Sequence, residues 1–230
     1  TFPDSLLGMV QARLDALEPF DRQVIRAASI FGQRFWLAGV AALLGGNDRL
    51  AEVHDALVRL AAAEMVEARG AAALAGQTEY EMPSAMVHDA AYATLTAGDA
   101  TPGHRAVAAW LTSAGERNPL VLAEHHWRAG DRRKAAECFL AAAEQAQGAH
   151  DSAGTSQRAQ RGLDAGASGV VRGSLLLLQA ESLEWQGELQ ASDTAARAAE
   201  QLLEPGTAQW FQAAGSVLNA SARLGASPEL

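Results

Sequence analysis

One lysine, one cysteine and two tyrosines stand among 230 residues, and aromatic side chains make up only 6%. Each shortage excludes something. A phosphate-binding loop needs a lysine beside glycines, because backbone amides and the ammonium must together surround the phosphates. The single lysine, Lys134, stands between Arg133 and Ala135 in a helical stretch. The chain therefore carries no P-loop of its own, and no nucleotide cofactor is expected in it. The single cysteine, Cys138, excludes an internal disulfide framework and fits a reducing cytoplasm. In a helical pattern it reads as a small core residue rather than a reactive thiol. No apolar run approaches the ~20 residues that cross a bilayer, so no membrane partner is expected. The opening Thr1-Phe2-Pro3-Asp4 has neither a start methionine nor a basic signal region, and reads as a cut from something longer.

Basic surplus is missing too. The formal charge is −9, and up to Asp99 there are 7 Arg against 13 acids; beyond it, 10 Arg and Lys134 face 14 acids. Neither half has the positive excess that phosphate backbones demand, so nucleic acid is an unlikely partner. What is abundant is alanine, within 49% hydrophobic residues, and this favours helix nearly throughout.

The first part reads as helices followed by a hairpin. Pro3-Asp4-Ser5 opens a helix with Leu6, Leu7, Val10, Leu14 and Leu17 at helical spacing. A second runs from Phe20-Asp21 to Gly32, a third from Phe35 to Leu44, and a fourth through Ala63, with Asn47 and Asp48 as cap candidates. Met65–Arg69 and Thr78–Met82 are short strands around a turn at Gly70–Gly76, and helix resumes at Ser84. That order predicts a winged-helix domain over residues 1–98, with Thr96-Ala97-Gly98-Asp99 as the break. Glu79 and Glu81 alternate on a strand and read as its solvated face.

Residues 99–230 are helical throughout, with helices expected near 103–115, 119–129, 132–148, 152–164, 171–186, 189–203 and 207–224. A phrase repeats there. Gly130-Asp131 and Gly187-Glu188 each close one helix and open another with alanines on one face. Hairpins built this way bury their apolar faces only by stacking, which predicts a tetratricopeptide-like solenoid, and so a mainly α protein. The two phrases lie 57 residues apart, not a multiple of the 34-residue period, so one irregular helix near Ser152–Leu163 separates them. The last helix, 207–224, reads as half of a pair. Its apolar residues Leu218 and Leu224 make it a candidate homodimer contact.

Catalytic constellations are few. Glu124-His125-His126 is the one histidine cluster, but adjacent histidines on a helix point about 100° apart and do not share a metal. Ser84 and His88 stand at i, i+4, yet no oxyanion hole accompanies them, and Ser84 stands where a helix cap belongs. The five tryptophans read as packing residues, one to a helix. Not an enzyme is the reading these residues support.

The segment Thr78 to Leu95, with Leu14–Leu17 and Val24–Trp36 upstream and Gly103-His104-Arg105 and Leu122–His125 downstream, resembles STAND-type signalling ATPases. The similarity is to the region after their nucleotide-binding module, in bacterial regulators and in serine/threonine kinases with ATPase and tetratricopeptide parts. It implies a non-catalytic regulatory and interaction region. The winged helix would relay the state of an ATPase module elsewhere in the parent chain, and the repeats would bind a protein or peptide partner. In that family a Phe-x-His pattern after the second strand senses the nucleotide phosphates. Here Met82-Pro83-Ser84 occupies those positions, making Ser84 the nucleotide-sensing candidate, with His88 one turn later. Partner-binding candidates on the repeats are His126, Arg128, Arg132, Arg133, Arg158 and Arg161. The same residues leave open a self-sufficient tetratricopeptide adaptor, or part of a transcription regulator.

Overall fold

A computed structural model describes residues 4–225, with side chains from Gly8 onward. Pro3 and the side chains of Leu6 and Leu7, invoked above for the first helix, lie outside the described residues. The described chain is mainly helical, with twelve α-helices and one small sheet. It divides into two compact units, Thr1–Arg117 and Asn118–Leu230.

The first unit begins with α1 (Asp4–Asp15) and α2 (Pro19–Phe31). Gly32 ends α2 with φ at 115°, a region that favours glycine. Phe35 and Trp36 do not start the third helix, as their apolar character suggests. They lie in a strand, β1 (Arg34–Trp36), and α3 covers only Leu37–Leu43. Aromatic residues fit a pleated surface, and a strand partner was available in the hairpin. β3 (Glu79–Glu81) takes the centre of the sheet, pairing antiparallel with β1 and with β2 (Glu67–Ala68). Phe35 stands opposite Tyr80, their rings stacked 5.8 Å apart. Asn47 and Asp48 cap nothing; they form a short 3-10 turn leading into α4 (Leu50–Ala62).

Glu79 corrects the expectation of a solvated face. It is 1% exposed. The Gly70–Gly76 segment folds back over the strand, buries Leu74, and lets the Ala73 amide donate to Glu79 Oε2 at 2.6 Å. Arg69 lies 3.5 Å from Glu79 Oε1 and also pairs with Glu81. A buried carboxylate is tolerated when such partners replace water.

After α5 (Ala85–Ala93), the residues read as a break launch another helix instead. Thr96 and Asp99 form a reciprocal capping box: the Asp99 amide donates to Thr96 Oγ1 at 3.2 Å, and the Thr96 amide to Asp99 Oδ2 at 3.3 Å. The resulting α6 (Ala97–Ala114) packs on α2 and α3 through His104, Val107 and Leu111. Gly103 permits that approach, since a Cβ there would lie 2.6 Å from Ile30 Cδ1. The contact boundary therefore falls at Arg117/Asn118 rather than at 98/99.

Among the described residues the second unit is six helices: α7 (Pro119–Arg128), α8 (Arg132–Gly148), α9 (Ser152–Asp164), α10 (Gly169–Trp185), α11 (Leu189–Leu202) and α12 (Ala208–Gly225). Connections of three to five residues fold each helix back on the one before; α8 also packs on α10, and α10 on α12. The starts of α7, α9 and α11, at 119, 152 and 189, are 33 and 37 residues apart.

The turn phrase recurs three times rather than twice. Gly130-Asp131, His150-Asp151 and Gly187-Glu188 each put a residue at φ between 59° and 82° before an acid at the N-cap. Asp131 accepts from the Lys134 amide and Asp151 from the Gly154 amide. The middle copy escapes a search for glycine because histidine is one of the few other residues that tolerates the left-handed region.

At the crossings of α8 and α9 many buried residues are small, Ala135, Ala136, Ala143, Ala159 and Gly162, with Phe139 on α8 and Leu175 and Leu178 on α10 as the large members of the same cluster. A Cβ on Gly162 would meet Leu175 Cδ1 at 2.7 Å and Phe139 Cβ at 3.3 Å. Cys138 is half-buried at the margin of this cluster, and burial pushes its thiol up.

Truncating Phe139 to alanine is expected to cost about 3–5 kcal/mol in urea denaturation, the usual loss for a buried ring that leaves a cavity. Arg69→Ala strands the Glu79 carboxylate with a single amide donor. Its expected cost is about 1–3 kcal/mol, and an unchanged urea midpoint would show that the pair does not hold the loop to the sheet.

Candidate functional site

Of the two sensing candidates, Ser84 is the available one. Its backbone occupies the N-cap of α5, with its carbonyl accepting from the Val87 amide, but its hydroxyl makes no capping bond. The side chain is half-buried. His88 is committed within the fold. Its Nδ1 lies 2.8 Å from Asp89 Oδ1 and its Nε2 lies 3.1 Å from the Ser29 carbonyl oxygen. The ring stacks on Tyr92, whose hydroxyl meets the buried His104 Nε2 at 2.7 Å. This polar chain ties α2, α5 and α6 together. Ser84 and His88 do not form a nucleophile–base pair, since both ring nitrogens face other oxygens.

The partner candidates on the second unit separate into two sets. Arg161 on α9 pairs with both carboxylate oxygens of Glu124 on α7, one contact at 2.9 Å, while its guanidinium lies 4.4 Å from the Phe139 ring centroid. Arg158 donates to the Ala142 carbonyl at 3.1 Å. These two stitch helices to each other. The other set gathers at the α7–α8 turn. There Arg132 stacks 3.9 Å over Trp127, Arg133 is exposed with Glu137 3.8 Å away, and Arg128 is exposed. His126 is largely covered beside them; its Nδ1 is 3.9 Å from Asp131 Oδ2, too far for a hydrogen bond. Burial holds the His126 imidazole below its ordinary value, and the nearby Asp131 only partly offsets this.

A site that sequence reasoning missed lies at the end of α10. Leu178, Glu181, Ser182 and Trp185 recur at i, i+3, i+4 and i+7, so they share one face of that helix. They face Gln147 and His150 at the end of α8, and Ser152 and Thr155 at the start of α9, around a pocket of about 350 Å³. Leu178 gives an apolar floor. Ser182 Oγ donates to the Ser152 carbonyl at 2.6 Å and lies 3.0 Å from Ser152 Oγ, closing the back. Gln147 donates to Glu181 Oε2, fixing the carboxyl at the rim. Burial, reinforced by nearby Glu184, raises the Glu181 carboxyl above its ordinary value.

Trp185 overturns the reading of every tryptophan as a packing residue, for it is 86% exposed. Trp36, by contrast, is buried, with the Trp110 and Phe31 ring centroids 5.7 and 6.1 Å from its own. The signal for Trp185 was its place directly before the Gln186-Gly187 turn, where a helix has no next turn to cover it. On α12, Leu218 is exposed as expected and Phe211 shares its face, whereas Leu224 is half-buried.

Among the described residues no group of three or more His, Cys, Asp or Glu is placed to hold a metal ion, and no helix is long and apolar enough to cross a membrane. No family model, curated protein or solved structure matches the chain.

The depressed His126 makes a signed prediction. The unfolded chain takes up a proton on this ring near pH 6.5, before the folded chain does. The contribution to stability is thus complete above that pH and lost as pH falls through the folded value below it. Between pH 7.5 and pH 5, His126→Gln should lose less stability in urea denaturation than the parent chain. Equal losses would remove His126 from the pH response.

Proposed function

We propose that this chain is a non-catalytic regulatory and protein-interaction region of a larger STAND-like signalling ATPase. The observation that carries the reading is the unbroken run of paired helices from α7 to α12. Their 33- and 37-residue spacing, close to a tetratricopeptide period, supports a repeat array that presents side chains of many helices to one partner. From α2 onward, the order helix, strand, two helices and hairpin in the first unit supports a winged helix. In this reading it relays the state of the parent's ATPase module, with Ser84 at the phosphate-sensing position. The cytoplasm is the compartment where such a switch would work.

Side-chain commitments in α4 and at its N-cap, Arg49, argue against DNA as the partner. A reading helix needs free donors for base edges and phosphates. Arg59 instead holds the buried Asp21, with Nε 2.9 Å from Oδ2. Arg49 lies over the Phe20 ring and 2.8 Å from Glu52. The remaining exposed polar side chains of α4 include Glu52, His54 and Asp55, a poor match to a polyanion.

Selection of a random peptide library on the immobilised chain tests the interaction half of this proposal. Peptides with a shared pattern, competing with one another for a saturable site, are the expected result. A library that yields no binder, or salt-sensitive saturable binding of duplex DNA in its place, would contradict it. Calorimetric titration of ADP into the chain extended N-terminally through its ATPase module tests the relay half. Ser84→His should tighten ADP binding if residue 84 stands at the phosphates, and identical affinities would remove it from the site.

A further inference from the structure

Two arginines of the second unit lie over aromatic rings, and one of these also pairs with a carboxylate. Arg161 lies over the Phe139 ring and pairs with the Glu124 carboxylate; Arg132 lies over the Trp127 indole. An aromatic face with a carboxylate beside it suits a planar, weakly hydrated cation, which stacks on the one and donates two hydrogen bonds to the other. Glu181 and Trp185 repeat this pairing one turn apart on α10, and no Arg or Lys lines their pocket.

Other features of the pocket favour a positive guest. The carboxyl of Glu181 accepts from Gln147 through one oxygen, Oε2. α8 and α10 both end here, at Gly148 and Trp185, and helix C-termini carry partial negative charge. The opposing N-terminus of α9 is capped by the Asp151 carboxylate. Glu184 on the adjoining face is already engaged by Asn219 and by Arg223. His150 holds the rim in a left-handed backbone conformation, φ 59°, which is uncommon for a non-glycine residue and fixes where the α8–α9 turn opens. The volume of about 350 Å³ is ample for one long side chain.

We infer that the pocket between α8, α9 and α10 is the seat for an arginine side chain of a partner peptide, stacked on Trp185 and paired with Glu181. The inference rests on the reading of α7–α12 as a peptide-binding array and names the chemistry of one contact in it. Charge complementarity supports it: the whole chain is at −9, and the pocket lining contains one carboxylate and no permanent cation. An arginine fits better than a lysine, because the compact ammonium is more strongly hydrated and lacks the planar fork.

The probe is an acetylated, amidated pentapeptide with arginine at the centre and glycine elsewhere, titrated by calorimetry. The control replaces arginine by citrulline, which keeps shape and loses charge. Arginine peptide binding that is about tenfold tighter than citrulline, and that falls by about tenfold in both Glu181→Gln and Trp185→Ala, is expected from one charge-assisted bidentate contact plus one cation–π contact. Trp185 is exposed, so its truncation leaves the fold intact, and thermal melting of both variants checks this. Equal affinity for the two peptides, or arginine binding unchanged in both variants, overturns the inference. The peptide library separates the two failures. Selected peptides that bind Glu181→Gln and Trp185→Ala as well as the parent overturn the arginine seat while sparing the peptide-binding array, whereas a library with no binder removes both.

Discussion

Close approach between helices is the constraint on which the second unit depends. Its helices α7 to α9 meet largely through Ala135, Ala136, Ala143, Ala159 and Gly162, so backbones can come near one another, while α10 packs on them with leucines. Phe139 fills what these small residues leave open, with Leu175 closing over Gly162. The rest follows. The short connections each use a left-handed residue, and before α8 and α9 the acid after it, Asp131 or Asp151, accepts from an amide that the next helix exposes. With the apolar faces of α8 and α9 turned to neighbouring helices, the polar helix ends and rims there are left for recognition.

Helix positions in this unit were legible because propensity, period and turn chemistry all pointed the same way. Bounds at Arg132–Gly148 and Ser152–Asp164 coincide with those expected from the pattern. Failures came where a tertiary partner decided the outcome. Arg34–Trp36 became a strand because β3 was there to pair with it; Glu79 was buried because the loop over it supplied an amide and Arg69 supplied a cation. Thr96 to Asp99 combined break residues with a capping box, and the box prevailed.

The candidate site was only partly visible. Ser84 was placed at a helix start, and the structure puts it there, but nothing local to His88 foretold that Asp89 and the Ser29 carbonyl would occupy both its nitrogens. Arg158 and Arg161 were read as surface cations; they are tethers, because a helix turned toward its neighbours offers them a carbonyl and a carboxylate. His150, Glu181 and Trp185 could not be grouped from the sequence. His150 comes from the α8–α9 connection and Glu181 and Trp185 from successive turns of α10, and they meet only when α8, α9 and α10 stack.

Recognition at the ends of α8 and α10, beside the start of α9, joins the packing to the function. Indole nitrogen-15 labelling followed by NMR tests it most directly, since five tryptophans report on five places in the chain. On addition of a peptide selected from the library, the account expects the Trp185 indole resonance to move while Trp36, Trp110, Trp127 and Trp210 stay. A stationary Trp185 beside a moving Trp127 or Trp210 would put the binding surface elsewhere and contradict it.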